Sequence, residues 1–252
     1  MRFHIMVTAA LALAGSAAAQ QHVAPVPQHG PGWFYGGSNG PSEWGRLDAA
    51  YAACATGQQE SPIDLSGAIS ADLGPIGLNW PAMPGRVFDT GHAIQVEASP
   101  GGELTMGGKT YELLQLPVHQ PSEHLLNGRR FPLEVHFVHT APDGTLGVVG
   151  VFVEAGAANP VLQTLLDAAP AAAPTSARPV LDLDSLLPAG RDYFRYEGSL
   201  TTPPCSEIVD WAVLAQPITA SEAQIDAFAG LHPGNTRPLQ PLNHRFLLRS
   251  GR

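Results

Sequence analysis

Two histidines in predicted strands could bind a metal ion. One face of the first strand carries Gln115, Pro117 and His119, because residues two apart on a strand point the same way. A second strand presents Glu134 and His136 on one face for the same reason. Two neighbouring strands that each offer one imidazole could hold zinc, although catalytic zinc normally takes three protein ligands. The spacing alone also allows the alternative that both rings are ordinary hydrogen-bonded core histidines.

The segments that must position these histidines have the periodicity of strands. Apolar and polar residues alternate at 93–97 and 133–138, which is typical of strands with one buried face. Residues 146–153 and 208–214 form nearly continuous apolar runs, which predict strands buried on both faces. Turn sequences separate these segments at 100–102, 127–128 and 143–144.

Helices are predicted to be few and short. Asn159 and Pro160 supply a cap and a first turn for an apolar stretch that continues to Leu166. Ser221 is a candidate cap for a second helix that continues to Phe228. The chain also has 27 glycines and 24 prolines, which favour turns. Together these patterns predict a mainly β single domain with short peripheral helices.

The composition predicts a globular protein that is a poor partner for nucleic acids. The chain has 252 residues, of which 44% are hydrophobic and only 14% are charged. This balance is typical of a packed domain and not of a disordered chain. The formal net charge is −9, and Lys109 is the only lysine, so we expect no nucleic-acid partner.

The first 19 residues have the features of a secretory signal peptide. Arg2 precedes an apolar run that ends near Gly15, and residues 17–19 are all alanine, as at a cleavage site. The alternative is a membrane anchor, but the run is too short to span a bilayer comfortably. We expect residues 20–32 to be a flexible lead and residues 33–250 to form the domain. The cleaved chain would be periplasmic or secreted, without membrane attachment.

The two cysteines are also consistent with an exported protein. An even pair in an exported protein, here Cys54 and Cys205, indicates one disulfide. Such a bond would close a loop of roughly 150 residues and contribute about 4–5 kcal/mol in the chain-entropy model. The alternative is a pair of unpaired buried thiols.

Further motifs occur in one order along nearly all of the predicted mature chain. They are Trp-Phe-Tyr-Gly at 33–36, Gln-Glu-Ser-Pro-Ile-Asp-Leu at 59–65, Gly-His at 91–92, Gln-Pro-Ser-Glu-His at 120–124, Gly-Ser-Leu-Thr-Thr-Pro-Pro-Cys at 198–205 and Asn-Thr-Arg-Pro at 235–238. This series resembles the α-type carbonic anhydrases, in particular their exported bacterial members. The metal-binding strand of that family reads Gln-x-His-x-His, and here Pro117 stands at the first histidine position. Cys54 and Cys205 stand where exported members form a disulfide.

The resemblance implies a fold and a metal site. The fold is one domain around a central twisted, largely antiparallel sheet, with zinc at the bottom of a conical cleft. His119 and His136 would be the second and third zinc ligands. Glu134 would orient His136 through the other ring nitrogen. Gln115 would support the first ligand, which this chain does not have.

The resemblance also implies catalytic roles in the reversible hydration of carbon dioxide to bicarbonate. Thr201 would orient the attacking hydroxide and donate a hydrogen bond to Glu123, and Thr202 would help place bicarbonate. His92 would carry protons to solvent, since an unperturbed imidazole titrates near pH 6.5. An apolar pocket for carbon dioxide would be lined by Val138, Val148, Leu200 and Trp211. The alternatives are an ordinary buried pair of Glu123 and Thr201, apolar residues that are only core, and a surface histidine at 92.

Pro117 leads us to expect weak or partial zinc binding and weak or lost hydration activity. Proline has no side-chain donor and no backbone N–H, so we also expect the strand to bulge there and to move His119. Gln115 and His92 are poorly placed to replace the missing imidazole. The chain would then be a scaffold or binding module, whose protein partner the sequence does not indicate. The alternatives are a working zinc carbonic anhydrase with a non-standard coordination sphere and an unrelated function on the same sheet.

Overall fold

Alternating apolar residues form strands where the sequence predicts them, and these strands build one large sheet. A computed structural model of the chain describes residues 32–169 and 178–251. Within these residues the sheet has 13 strands. They are β1 (Ile69–Ser70), β2 (Gly77–Asn79), β3 (Met83–Asp89), β4 (Ile94–Ala98), β5 (Glu103–Met106), β6 (Lys109–His119), β7 (Leu133–Thr140), β8 (Leu146–Ala155), β9 (Val180–Leu181), β10 (Tyr193–Gly198), β11 (Val209–Leu214), β12 (Ile218–Ala220) and β13 (Leu248–Arg249). The predicted signal peptide, and all but the last residue of the predicted lead, lie outside the described residues.

Most neighbouring strands are antiparallel. Across the sheet the order is β1-β13-β10-β11-β8-β7-β6-β4-β3-β9, with β5 beside β6, β2 beside β5, and β12 beside β8. Parallel pairs are β1 with β13, β8 with β11, and β8 with β12. The prediction of a mainly β fold with a largely antiparallel sheet is confirmed.

Short helices accompany the sheet. The α-helices are α1 (Trp44–Leu47), α2 (Ala53–Thr56), α3 (Pro160–Ala168) and α4 (Glu222–Leu231), and single 3-10 turns lie at Gly37–Asn39, Ala49–Tyr51 and Leu183–Leu186. Asn159 caps α3 through its side-chain oxygen, as predicted. Ser221 caps α4 in a reciprocal capping box with Gln224. None of the described helices has the length and apolar character needed to cross a membrane.

The two faces of the sheet bury different residues. Val135 and Phe137 of β7 belong to the larger core, which also contains residues of α3 and α4. Val138 belongs to a smaller core on the opposite face. Side chains alternate along a strand, so His136 points to the same face as Val138. One face of the sheet therefore packs under helices, and the other carries the predicted site.

A β-bulge in β6 exchanges the two faces of the strand between its first and second halves. The pairing register with β7 shifts between Leu113 and Gln115. Leu113 faces the larger core before the shift, and Val118 faces it afterwards. A one-residue slip exchanges the two faces of a strand, so Pro117 and His119 point to the face that carries His136.

The bulge is not at Pro117, where the sequence analysis expected it. Pro117 pairs with Gln95 of β4, and pairing with β7 resumes at Val118 opposite Val135. Proline removes one donor from the ladder, but the pairing with β4 on the other side of the strand extends as far as Pro117. His119 lies opposite Glu134 in the register that resumes after Gln115, so the expectation of a bulge at Pro117 is wrong.

Candidate metal centre

β6 and β7 bring the two predicted metal ligands side by side. The ring centres of His119 and His136 are 4.5 Å apart. Only 3% of His119 and 2% of His136 is exposed to solvent. The bulge in β6 is what allows both rings to share one face of the sheet. The structure therefore brings together the two histidines that the sequence singled out.

A backbone carbonyl determines which nitrogen of His119 is available. Its Nδ1 lies 2.9 Å from the carbonyl oxygen of Asn235. A carbonyl oxygen only accepts, so Nδ1 carries the ring proton and Nε2 of the neutral ring keeps its lone pair. Burial lowers the pKa of His119, and the neighbouring charge of Glu123 opposes this only in part. The ring is thus held in the neutral form that a metal ion requires.

Glu134 determines the available nitrogen of His136 in the same way. Its Oε1 lies 3.0 Å from Nε2 of His136 and 2.7 Å from Nδ1 of His124. A carboxylate accepts, so Nε2 of His136 carries the proton and Nδ1 keeps the lone pair. Burial alone would raise the pKa of Glu134, but the imidazoles of His124 and His136 lower it well below its ordinary value. The carboxylate therefore stays ionised and orients both rings.

Glu123 supplies a third acceptor that points at the two free nitrogens. Its Oε1 accepts a hydrogen bond of 2.9 Å from the backbone N–H of Arg237. Its Oε2 lies 3.6 Å from Nε2 of His119 and 3.8 Å from Nδ1 of His136, and it has no hydrogen-bond partner in the described part of the chain. The side chain is fully buried. Three acceptor atoms within 4.8 Å of one another, with no donor between them, fit a bound cation.

The hydrogen bond expected from Thr201 to Glu123 is not formed in this structure. Thr201 is buried, with 6% of the residue exposed, yet Oε2 of Glu123 has no donor. The N–H of Arg237 holds the other oxygen, and Oε2 is directed at the imidazoles instead. The expected role of Thr201 towards Glu123 therefore stays a prediction.

Pro117 and Gln115 lie on the site face without a metal-binding role. Pro117 is half-buried and has no donor atom in its side chain. Oε1 of Gln115 accepts a hydrogen bond of 2.9 Å from the side-chain amide of Gln95. Gln95 is also the cross-strand neighbour of Pro117. The amide that would support an imidazole at position 117 is therefore engaged by a second amide.

The residues predicted to form an apolar pocket lie together in the smaller core. Val138, Val148 and Trp211 belong to it, and Leu200 packs against it. The Trp211 ring centre is 4.9 Å from that of His136, and its indole N–H donates to the carbonyl oxygen of Ser199. Thr202 is half-buried in the loop that follows Leu200. An apolar wall thus stands directly beside one of the two histidines.

His92 lies in a surface cleft near the site. Its ring stacks on Trp33 with centres 3.8 Å apart, and its Nε2 is 2.9 Å from the Trp33 carbonyl oxygen. The cleft has a volume of about 280 Å³, and its lining includes Tyr35 and Asn235. The side-chain amide of Asn235 donates to the His92 carbonyl, and the Asn235 carbonyl holds His119. One residue therefore joins the segments of His92 and His119.

Three residues of the site received no role from the sequence. Asn235 fixes His119 across 116 positions of sequence, and Tyr35 has its pKa raised well above the usual range by burial and by the charge of Glu123. Gly150 pairs opposite His136, and a Cβ there would lie 2.9 Å from Oε1 of Glu134. Asn235 and Tyr35 belong to motifs quoted above, which was the available signal. Gly150 gave none.

The predicted pairing of the cysteines is present. Cys54 and Cys205 form a disulfide between residues 151 positions apart. Cys205 follows Thr202 by three residues, and its N–H donates to the Thr202 carbonyl oxygen. The bond therefore anchors the loop that carries both Thr201, predicted to be catalytic, and Thr202, predicted to place bicarbonate.

The fold and the site define a mainly β protein with a buried cluster of histidines and carboxylates on one face of its sheet. Residues 39–251 match the family model described as eukaryotic-type carbonic anhydrase. The chain belongs to this family, the α-type carbonic anhydrases, as its motifs indicated.

Individual members are similar along most of the chain. A carbonic anhydrase from Pectobacterium carotovorum is 41% identical over 219 residues, which cover 86% of this chain and 90% of that protein. The α-carbonic anhydrase of Thermovibrio ammonificans, solved with sulfanilamide, has a TM-score of 0.83 at 40% identity and covers 87% of this chain and 100% of that one. The Photobacterium profundum α-carbonic anhydrase has a TM-score of 0.80 at 40% identity, covering 86% and 100%.

Proposed function

We propose that this chain holds zinc in a site that lacks one imidazole of the family's set, and that it hydrates carbon dioxide weakly or not at all. One observation carries the proposal. The register of β6 and β7 puts Pro117 opposite His136 and on the same face as His119, so a side chain without a donor stands beside both histidines. A zinc site with two imidazoles binds the ion less tightly than one with three.

The residues present otherwise fit a zinc ion. His119 would bind through Nε2 and His136 through Nδ1, since these nitrogens keep their lone pairs. Zinc bound in such a site supplies Lewis acidity, which lowers the pKa of water from about 15.7 to about 7. Glu134 holds the His136 ring in place through the opposite nitrogen.

The surrounding residues suit carbon dioxide and bicarbonate as reactants. The apolar side chains of Val138, Val148, Leu200 and Trp211 would receive carbon dioxide, and Thr202 would hydrogen-bond bicarbonate. Thr201 would orient the attacking oxygen only if its hydroxyl turned to donate to Glu123. In the family role of His92, Nδ1 would relay the proton, because Nε2 is engaged by the Trp33 carbonyl.

A working enzyme with a non-standard coordination sphere is the second candidate. It is favoured by the unpartnered oxygen of Glu123, which converges with the two free imidazole nitrogens. A third donor atom would raise the affinity for zinc above that of two imidazoles alone. Hydration activity would then depend on how much of the zinc's acidity the new ligand preserves.

We further propose that the mature protein is periplasmic or secreted. The features of residues 1–19 indicate export, and a disulfide such as Cys54–Cys205 persists in an oxidising compartment. No protein partner is proposed.

The proposal is tested by measuring zinc content and carbon dioxide hydration for the natural protein and for Pro117→His. Pro117→Ala is the matched control, since it removes the proline without adding a donor. Loss of a residue that merely supports a ligand typically costs 10–100-fold, so the new imidazole should raise kcat/KM by about 100-fold or more. The alanine variant should not gain activity. A natural protein that turns over as fast as Pro117→His would refute the proposal.

A further inference from the structure

We propose that Glu123 is itself a metal ligand, which completes a site of two imidazoles and one carboxylate for zinc. The inference rests on the metal site of the proposed function and assigns its third donor. In the role that the family resemblance gives Glu123, the carboxylate only accepts a hydrogen bond from Thr201. Here its free oxygen is directed at the two histidines.

The distances favour a shared ion over direct hydrogen bonds. Oε2 of Glu123 lies 3.6 Å from Nε2 of His119 and 3.8 Å from Nδ1 of His136. Both separations exceed the usual limit of about 3.2 Å for an N–H···O hydrogen bond. Two donors on one tetrahedral zinc ion, each about 2.0–2.1 Å from it, are about 3.3 Å apart. Oε2 of Glu123 therefore needs to move only a few tenths of an ångström closer to each of the two nitrogens to share a zinc ion with them.

The protonation of the cluster leads to the same assignment. The Asn235 carbonyl and the Glu134 carboxylate hold the ring protons on the far sides of His119 and His136. Both near nitrogens therefore offer lone pairs, and so does the fully buried oxygen of Glu123. A buried acceptor without a donor costs free energy, and three acceptors facing one another also repel. A divalent cation removes both penalties, and two histidines with one glutamate are an established zinc ligand set.

This assignment separates metal binding from hydration. Oε1 of Glu123 is held by the N–H of Arg237, so only Oε2 remains for a second interaction. If Oε2 binds the ion, it cannot also fix the hydroxyl of Thr201 by accepting its hydrogen bond. An anionic ligand also weakens the positive field that acidifies water. The chain would therefore retain zinc well while hydrating carbon dioxide slowly.

A double-mutant cycle on zinc affinity tests the assignment. Affinity is measured by chelator competition for the natural protein, Glu123→Gln, Pro117→His and the double variant. Glutamine keeps an acceptor for the N–H of Arg237 and loses the charged ligand. We expect Glu123→Gln to weaken zinc binding by about 100-fold in the natural background. In the Pro117→His background, where the new imidazole replaces the carboxylate as a ligand, we expect Glu123→Gln to weaken zinc binding by less than about 3-fold.

Two further variants keep the test decisive. Thr201→Val removes the hydrogen-bond partner of the family arrangement, and it should leave zinc affinity unchanged if Glu123 binds the metal directly. Glu123→Asp keeps the charge but has a shorter side chain, which moves the carboxylate oxygen away from the two histidines and should also weaken zinc binding. This variant replaces Glu123→Gln in the test if the glutamine variant does not fold. An equal loss in both backgrounds, or no loss in the natural one, would overturn the assignment. Hydration is not the readout, so failure here is distinct from failure of the proposed function.

Discussion

At the level of single residues, the sequence indicated which family ligand position is altered but not which way the Glu123 carboxylate points. The missing imidazole at position 117 followed from the resemblance of residues 115–119 to the family's Gln-x-His-x-His strand, which is a local pattern. The direction of the free oxygen of Glu123 did not, because the N–H that holds the other oxygen belongs to Arg237, 114 positions away. Contacts of that range leave no periodicity in a single sequence.

His139 gives a prediction at this scale. Its Nδ1 lies 3.1 Å from the Gly147 carbonyl oxygen, and its Nε2 accepts a hydrogen bond from the indole of Trp80. Burial is the main reason that its pKa falls to about 4. The unfolded chain binds this proton near pH 6.5, so stability is full above that pH and is lost as the pH falls towards 4. Between pH 7 and pH 4 the natural protein should lose about 3 kcal/mol more than His139→Gln.

Urea unfolding at pH 7, 5.5 and 4 measures this difference. The Gln variant is the control for all other groups that titrate in the same range. Parallel pH dependence in the two proteins would show that His139 is not held neutral in the fold.

At the level of elements, features determined by residues close in sequence were predicted, whereas features determined by contacts between distant segments were not. The caps at Asn159 and Ser221 were predicted because each lies directly before its helix. The bulge before Gln115 was predicted at the wrong residue, since pairing with β7 and not proline alone determines where β6 shifts register. The side chain of Gln224 also joins the two caps, which no local pattern indicates.

Gln224 therefore gives a prediction at the element scale. Its oxygen accepts from the N–H groups of Ser221 and Asn159, and its amide donates to the Asn159 carbonyl. Ser221→Ala removes one cap and should cost about 1 kcal/mol. Gln224→Ala leaves the buried backbone N–H of Asn159 unpaired, removes one of the two donors to the Asn159 carbonyl, and should cost about 2–3 kcal/mol. Urea unfolding at pH 7 compares the two, and equal losses would argue against a link between α3 and α4.

At the level of the whole molecule, the order of motifs predicted the fold class, while the connections between distant segments came only from the structure. The buried guanidinium of Arg237 illustrates this. It donates to Glu60 and to the carbonyls of Ser61 and Cys54, while the Arg237 backbone N–H holds Glu123. One residue near the end of the chain thus ties the disulfide segment to the site.

Removal of the disulfide gives a prediction for the whole molecule. The bond between Cys54 and Cys205 closes a loop across 151 positions. The double variant Cys54→Ser/Cys205→Ser should lose about 3–5 kcal/mol of unfolding free energy, chiefly because the unfolded chain gains freedom. Denaturant unfolding of the natural protein in excess dithiothreitol should show the same loss. A loss below about 1 kcal/mol would mean that the native contacts do not need this covalent link.

The same bond has a consequence for biosynthesis. A chain that leaves the ribosome N-terminus first presents Cys54 long before Cys205, and at roughly 5–20 residues per second the delay is about 8 to 30 s. During that interval the early thiol has no native partner, and small oxidants or other nascent chains can capture it. For the export proposed above, we expect the yield of oxidised protein, more than the properties of the finished protein, to depend on a thiol–disulfide oxidoreductase.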